Sequence, residues 1–342
     1  MYWFLKVLSW LACRFSMDAC ISVGNFLGRL TWYGVPGKRK RMGIDNVMRC
    51  LGTDAQEAER IVRASWVQFG PMVMEVLRYP ELIKEGRMQQ HVSIEGLEYL
   101  QEAIRQGQGG IIATNHSDSW EIMGAALAQY GVPLVGVAKK QKNHQADRFI
   151  IEYRELSGMH ITYSSDVREM FKMIKEGWLI GLIMDQDPSL KDGIILDFFG
   201  RKTNCVTGPA TLARFQNAPI FPGQIRHRPD GGHHITIFPP VYVEKTKNKQ
   251  EDIRRTMQQL VNILEQQGSC QVYPLLKRED EKYVTEHAYD NPKFVEDILR
   301  DGVLALRELD GLKWFSLECE NYESIHNHSA YAAHEEVVGK NC

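Results

Sequence analysis

The sequence has few of the features that define several protein classes. Its seven cysteines are scattered along 342 residues, and neither an odd number nor this spacing fits a disulfide framework. No cysteine stands at zinc-ligand spacing from another cysteine or a histidine, so we predict no metal site. The net charge of -2 provides no overall field to attract nucleic acid. With these classes excluded, the composition predicts a globular protein of a reducing compartment.

A long uninterrupted apolar run is also missing, although residues 1–33 are the most apolar part of the chain. They carry only four charged residues, which are Lys6, Arg14, Asp18 and Arg29. The apolar runs between them are shorter than the roughly 18 to 20 residues that cross a bilayer, and no signal-peptide cleavage site follows. We therefore predict a hydrophobic anchoring helix that lies in the membrane interface.

A basic cluster, KRKR at residues 38–41, follows the aromatic residues Trp32 and Tyr33. Tryptophan and tyrosine prefer the depth of lipid headgroups, and each basic residue adds roughly 1 kcal/mol of attraction to an anionic leaflet. The cluster thus indicates a membrane surface, with the body of the protein on the cytoplasmic side. A solvated loop is the alternative for this stretch.

The middle of the chain alternates short apolar runs with helical segments. The runs that we predict as strands are GGIIAT, VPLVGVA, WLIGLIMD, APIFPGQI and HHITIF. An amphipathic helix that is capped at Thr53 and ends near Arg78 precedes them. This alternation predicts an α/β sheet with its functional groups in loops beyond the strand ends.

Composition divides the chain into three parts. We place a membrane-anchoring segment at residues 1–33 and the main α/β domain at residues 34–245. Charge becomes dense beyond that point, and residues 246–342 are predicted to form a divergent region, helical at first and then irregular, with no strong strand pattern.

The segment NHSDSWE carries the clearest candidate chemistry, because it follows a predicted strand and leads into a helix. His116 and Glu121 would lie about 140° apart on one helix, so they converge only if His116 sits in the turn. Glu121 could then orient the imidazole while its other nitrogen acts as a general base. From spacing alone, a capping box of Asp118 and Glu121 with His116 as a turn residue stays open.

This segment resembles the N-H-x-x-x-x-E/D motif of the glycerolipid and lipid A acyltransferases. A second block resembles the same proteins, with an Asp-Gln pair, a Phe-Phe-Gly turn, and a glycine before a Leu-Ala-Arg helix. Its residues are Asp185, Gln186, Phe198, Phe199, Gly200, Gly208, Leu212, Ala213 and Arg214. Over roughly residues 1–245 the chain is thus similar to the lauroyl/myristoyl acyltransferases of lipid A biosynthesis.

The resemblance implies a mixed β-sheet flanked by helices and an O-acyltransferase of lipopolysaccharide biosynthesis. A fatty acyl chain would pass from acyl carrier protein or coenzyme A to a hydroxyl of a lipid A precursor, without a cofactor. The family's setting is the bacterial inner membrane, with the catalytic domain on its cytoplasmic side. His116 would deprotonate the hydroxyl, and Glu121 would orient His116.

Four further residues are carried over as substrate-binding candidates. Lys139 stands where the family has an arginine and would stabilise the oxyanion, while Asn143 matches a family asparagine. Asp185 would position the acceptor or the histidine. Arg214 would brace its helix or meet a phosphate.

Two other interpretations stay open. The acceptor could instead be a lysophospholipid or a mannosylated inositol lipid. The other alternative is a catalytically inactive lipid-binding protein. It stays open because Lys139 replaces an arginine and the family's W-x-x-H-R-R segment is absent after Gln267. We expect Cys205 to be a packing residue rather than a nucleophile, and His233 and His234 to be exposed residues without a role.

Overall fold

A computed structural model describes most of the chain. The described residues are 1–186, 193–228, 232–266, 314–322 and 329–337. The chain divides into two compact units, Met1–Pro274 and Leu275–Cys342, and each is considered by itself.

Helices surround the sheet of the first unit. They are α1 (Tyr2–Ala12), α2 (Met17–Trp32), α3 (Gly37–Leu51), α4 (Ala55–Leu77), α5 (Tyr79–Leu82), α6 (Arg87–His91), α7 (Leu97–Arg105), α8 (Trp120–Gln129), α9 (His144–Leu156), α10 (Val167–Lys175), α11 (Gly208–Gln216) and α12 (Lys249–Gln266).

The amino-terminal segment forms two helices where the sequence suggested one. Ser16 ends the break between α1 and α2, and its hydroxyl accepts a hydrogen bond from the Ala19 amide at 3.2 Å. The charged Arg14 lies in this break, which shortens each apolar stretch. Among the described residues, no helix combines the length and the apolar character required to span a bilayer. The membrane anchor therefore stays a prediction.

Helix α2 crosses α4 at very close range because both helices carry glycine at the contact. A Cβ atom on Gly70 would overlap the carbonyl oxygen of Gly24. Helix α4 begins after Asp54, whose carboxylate accepts a hydrogen bond from the Glu57 amide at 2.8 Å, so the cap expected at Thr53 lies one residue further on. The predicted end near Arg78 is confirmed.

Seven strands form the central sheet, in the order β1-β9-β8-β2-β5-β3-β4. Their bounds are β1 (Val92–Glu95), β2 (Gly110–Thr114), β3 (Leu134–Ala138), β4 (His160–Tyr163), β5 (Leu179–Ile183), β8 (Ile220–His227) and β9 (His233–Ile237). All five predicted strands are present. Within this sheet β8 and β9 pair antiparallel and the other neighbours are parallel, which confirms a mixed α/β sheet.

A two-stranded hairpin lies beside the sheet, with β6 (Gly193–Phe198) paired antiparallel to β7 (Arg201–Val206). Its turn is the Phe-Phe-Gly motif, in which Phe199 and Gly200 have φ angles of 48° and 67°. Two consecutive positive φ angles are the requirement of a tight hairpin turn, which explains the glycine. The motif therefore shapes the hairpin.

Helix α12 belongs to the core of the first unit. Met257 and Leu260 are completely buried with Ile111 of β2 and Ile220 of β8 in one apolar cluster. A buried apolar face of this kind is what stabilises an amphipathic helix. The predicted boundary at residue 245 thus falls before an element that completes the α/β core, and residues 246–342 do not form one region.

The described part of the second unit is an antiparallel pair, β10 (Trp314–Tyr322) and β11 (Ser329–Val337). The expectation of an irregular stretch with no strong strand pattern is wrong for these residues. The segment FSLECE, residues 315–320, does alternate apolar and polar residues with the period of a strand.

Candidate active site

Two neighbouring parallel strands deliver the candidate catalytic residues to one edge of the sheet. Thr114 at the end of β2 pairs with Ile183 at the end of β5. His116 and Asp185 each follow two residues after these positions. Because parallel strands end at the same edge, the two side chains meet there.

Asp185 holds His116 through two contacts. One carboxylate oxygen accepts a hydrogen bond from the His116 backbone amide at 2.9 Å, and the other lies 2.7 Å from the ring Nδ1. A carboxylate accepts hydrogen bonds, so Nδ1 carries the proton and Nε2 presents its lone pair. The histidine side chain is 30% exposed and the aspartate side chain 29%, so the imidazole is accessible from solvent.

Aromatic and amide groups fix the remaining sides of the imidazole. Its ring meets the Trp120 indole edge-on, with centroids 4.9 Å apart, and Trp120 in turn packs against Phe69 of α4 at 5.6 Å. The Gln186 amide nitrogen lies 3.5 Å from Nε2. The ring is thus held on one side by a carboxylate and on another by an indole.

Glu121 has a different partner from the one expected. Its carboxylate receives two hydrogen bonds from Arg154 of α9, at 3.0 Å from Nε and 2.6 Å from Nη2. A guanidinium matches a carboxylate in this forked geometry, and burial confines the pair. Within the described residues, the predicted hydrogen bond between Glu121 and His116 is not formed, and Asp185 takes its place.

The Glu121–Arg154 ion pair links α8, which follows the His116 loop, to α9. Burial lowers the pKa of Arg154, but the hydrogen bonds and charge of Glu121 outweigh it and raise the pKa above its usual value. Arg154 lies 33 residues from Glu121 in the chain, so local sequence patterns could not predict this ion pair. The alternative capping box is not formed either, because Asp118 directs its side chain elsewhere and Ser119 precedes α8 without a side-chain cap.

The predicted substrate-binding residues are not brought together. Asn143 caps α9, where its side-chain oxygen accepts hydrogen bonds from the amides of Gln145 and Ala146 at 3.0 and 3.2 Å. Lys139 is exposed at the end of β3, two strands from β2. Asp185 is the candidate among them that contacts His116.

Arg214 braces two helices, which is one of the two roles predicted for it. Its Nε donates to Asp252 of α12 at 2.8 Å, and its Nη2 donates to the Thr246 carbonyl at 3.0 Å. Hydrogen bonds from Thr246, together with Arg214, lower the pKa of Asp252 to about 2. Arg214 therefore fastens α11 to α12 rather than facing His116.

Two cavities flank the catalytic loop. The first, of about 250 Å³, has a mainly apolar lining that includes Met184, Phe198, Phe199, Val261 and Leu264, and its polar lining includes Asn115, Ser117 and Asp185. The second, of about 220 Å³, lies between the loop and α4, and His116, Gln68, Phe69 and Met72 line it. Lys139 lines neither cavity. His116 stands between an apolar space and a more polar one.

A cluster of histidines and carboxylates, buried at His233 and Glu75 and exposed at His227, lies behind the loop. His233 places Nε2 at 2.6 Å from Glu75 of α4 and Nδ1 at 3.3 Å from Asp118. His91 lies 3.3 Å from Glu75, and His227 lies 2.7 Å from Asp118. The sequence analysis missed this cluster, since its members come from five separate segments.

The expectation that His233 is exposed is wrong, because its side chain is only 1% exposed. Strand β9 lies between β1 and β8, and His233, Ile235 and Ile237 share its buried face. That alternation was the available signal in the sequence.

Two overlapping sets of ligand atoms in this cluster could also hold a metal ion. They are Glu75 with His91 and His233, and Asp118 with His227 and His233, each set lying within 4.8 Å. The 2.6 Å separation between Glu75 and His233 is a hydrogen-bond distance.

Comparison with known proteins gives two separate signals. The family model for the bacterial lipid A biosynthesis acyltransferases matches residues 1–272. The model for the type I GTP cyclohydrolase folE2 matches residues 240–332.

Individual relatives match the carboxyl-terminal signal. GTP cyclohydrolase FolE2 of Geotalea uraniireducens is 60% identical over 77 residues, which are 22% of this chain and 28% of that protein. FolE2 of Geobacter sulfurreducens is 59% identical over 80 residues, 23% of this chain and 31% of that one. The chain thus spans less than a third of the length of these curated relatives.

Among solved structures, the 1-acyl-sn-glycerophosphate acyltransferase PlsC from Thermotoga maritima is 15% identical, with a TM-score of 0.34. The match covers 72% of this chain and 97% of that one.

Proposed function

Because the chain belongs to the bacterial lipid A biosynthesis acyltransferase family, we propose that it transfers a fatty acyl chain to a hydroxyl of a lipid A precursor. The donor is a thioester of acyl carrier protein or coenzyme A. The observation that carries this proposal is the His116–Asp185 pair, in which His116 lines the cavity beside α4 while Asp185 lines the neighbouring apolar cavity.

His116 is the general base in the proposed reaction. Its Nε2 accepts the proton of the acceptor hydroxyl as the oxygen attacks the thioester carbonyl carbon. The tetrahedral intermediate collapses, the carbon–sulfur bond breaks, and the imidazolium returns the proton to the departing thiolate. Asp185 stabilises the imidazolium through Nδ1, and general-base assistance of this kind contributes typically about 10²- to 10⁴-fold.

The two cavities suggest where the substrates bind. The apolar walls of the first cavity, contributed by the β6–β7 hairpin and α12, suit the acyl chain. The acceptor hydroxyl then approaches His116 from the second cavity, beside α4. Glu121 and Arg154 support α8 in this mechanism and do not touch the reacting atoms.

A membrane surface is the proposed location of the reaction, on the cytoplasmic side of the bacterial inner membrane. The first 33 residues expose many large apolar side chains to solvent, on α1 and α2 and just after each helix; they include Trp3, Phe4, Val7, Trp10, Phe15, Phe26, Leu30 and Tyr33. A group of exposed apolar side chains next to the basic residues 38–41 is typical of a surface that lies in a lipid interface.

The test is a panel of donors and acceptors with product identification by mass spectrometry. Purified protein is incubated with acyl carrier protein and coenzyme A thioesters and, separately, with a lipid A precursor, a lysophospholipid and a mannosylated inositol lipid. We expect ester product with the lipid A precursor. Preference for either other acceptor would reassign the substrate within the same chemistry.

Total inactivity of folded protein with every pair, combined with retained lipid binding, would support an inactive lipid-binding protein. Circular dichroism and vesicle flotation supply these two controls. His116→Ala serves as the matched negative enzyme.

A further inference from the structure

We propose that His233 is a positioning residue for catalysis, a buried imidazolium that ties the loop bearing His116 to helix α4. The clamp acts through Asp118 and Glu75. This inference rests on the proposed role of His116 as the base, but it concerns residues that the reaction itself does not touch.

Two adjacent residues of the loop are fastened to the same group of side chains. Asp118 faces His233 at 3.3 Å, and the buried Ser119 hydroxyl donates to Glu75 at 2.7 Å. Glu75 also meets His233 at 2.6 Å, which closes the arrangement into a ring. The ring of contacts begins two residues after His116. A shift of the Asp118 backbone would therefore also shift the His116 side chain.

The backbone shows that the loop needs such support. Asp118 has a φ of 45°, a left-handed conformation that aspartate adopts at some energetic cost. Its carboxylate is held from three sides, by His233, by His227 and by Gln68, whose amide donates at 3.2 Å. These three contacts thus hold Asp118 in a backbone conformation that is unfavourable without them.

The hydrogen-bond pattern makes His233 a cation. Nε2 faces a Glu75 oxygen and Nδ1 faces an Asp118 oxygen, and ionised carboxylates only accept hydrogen bonds. Both ring nitrogens therefore carry protons. Side chains of His233 and Glu75 are 1% and 2% exposed, and a buried carboxylate without a positive partner would be costly.

The charged and titratable groups around His233 come from four segments, while β1 faces it with the apolar Val92. They are Glu75 of α4, His91 of α6, Asp118 of the loop and His227 of β8. Burial acts to lower the pKa of His233, but the hydrogen bonds with Asp118 and Glu75 outweigh it and raise the pKa to about 9. Burial likewise opposes ionisation of Glu75 and Asp118, yet hydrogen bonds from the histidines bring the pKa of each to about 2.

The test separates positioning from stability with a charge-balanced double variant. His233→Gln alone removes the buried cation that lies between the carboxylates of Glu75 and Asp118, and the variant is expected to unfold at lower temperature. Glu75→Gln combined with His233→Gln removes both charges and should recover most of the melting temperature. We expect kcat of the double variant to remain roughly 10- to 100-fold below wild type with KM little changed, since a misplacement of about 1 Å can cost 10²-fold.

His234→Gln is the matched control, because His234 bonds to Ser93 and Glu95 on the other face of β9. It should keep wild-type kcat. A double variant with wild-type kcat and melting temperature would overturn the proposal.

A pH series supplies a second readout. The stabilisation from His233 is fully present below its unfolded pKa of 6.5 and is lost as the pH rises through about 9. The melting-temperature difference between wild type and His233→Gln should therefore shrink between pH 6.5 and pH 10. A constant difference over that range would contradict a charged His233.

Histidine-selective NMR keeps the proposal testable even if no acyl transfer is found. Two ring protons on His233 at pH 7.5, with shifted amide signals of Asp118 and Ser119 in the double variant, would support the clamp although the proposed function failed. A neutral His233 would overturn it. Stoichiometric zinc by elemental analysis, removed by a chelator with a change in the His233 signals, would also overturn it in favour of a metal site.

Discussion

Replacing Asp185 with asparagine is the sharpest perturbation of the candidate site, because it changes one charge and almost no volume. The aspartate makes two contacts, at 2.9 Å to the His116 amide and at 2.7 Å to Nδ1. An asparagine can accept one of these hydrogen bonds but must place its NH₂ group towards the other. Either the imidazole adopts the wrong tautomer or the loop loses its backbone contact.

The expected loss is large and falls on kcat. Removing the partner of a catalytic imidazole should cost about 10²- to 10⁴-fold, or roughly 3 to 5 kcal/mol of transition-state stabilisation. KM should change little, since the interaction strengthens as His116 becomes positively charged. Acyl transfer to the lipid acceptor, measured from labelled thioester over a range of concentrations, separates kcat from KM.

Glu121→Gln is the matched control for Asp185→Asn. It also replaces a carboxylate by an amide in the same site, but Glu121 faces Arg154 rather than His116. Its kcat should stay within about tenfold of wild type, since it does not contact the base. A larger loss of kcat for Glu121→Gln than for Asp185→Asn would refute the assignment of Asp185 as the partner of the base.

Three further perturbations test the framework around the site. Gly70→Ala should lower the free energy of unfolding by roughly 1 to 3 kcal/mol, seen by thermal melting, because its Cβ would overlap the Gly24 carbonyl; an unchanged melting temperature would disprove the close crossing. Arg154→Met should cost about 3 to 5 kcal/mol by leaving Glu121 unpaired, and adding Glu121→Gln should restore much of it, whereas no recovery would argue against the pair. Trp10→Ser, at a side chain 57% exposed, should weaken binding to anionic vesicles about tenfold or more in a flotation assay, and unchanged binding would count against the membrane face.

Local sequence patterns predicted the part of the site that depends on strand ends. The apolar runs that became β2 and β5 placed His116 and Asp185 after two strands, and parallel pairing brought them together. The choice between Glu121 and Asp185 could not be made from spacing. It depends on Arg154, which approaches from α9 and occupies the Glu121 carboxylate.

The buried cluster shows a second limit of local patterns. His233 begins the predicted strand HHITIF and was expected to be exposed, but β9 lies inside the sheet and its first residue is covered. Its partners Glu75 and Asp118 lie 158 and 115 residues away in the chain. Only the three-dimensional arrangement shows that a turn aspartate and a helix glutamate share one histidine.

The helix predicted after residue 245 is present as α12, but its charge-rich composition placed it outside the predicted α/β domain. Helix α12 carries many charged residues, yet Met257, Leu260 and Val261 are buried against the α/β core. The acyltransferase family match reaches residue 272 and agrees with this extent. Beyond it, strand β10 and the first residues of its partner β11 fall within the residues that resemble FolE2.

The central claim is direct acyl transfer by His116, and a single-turnover experiment tests it most directly. Excess enzyme is mixed with acyl-labelled thioester and a lipid A precursor, and both the lipid and the protein are followed for label. We predict that wild type forms labelled lipid ester without labelled protein, and that His116→Ala is slower by at least about 10²-fold. Equal rates for the two proteins, or a labelled protein that forms and decays as fast as the product appears, would contradict the mechanism.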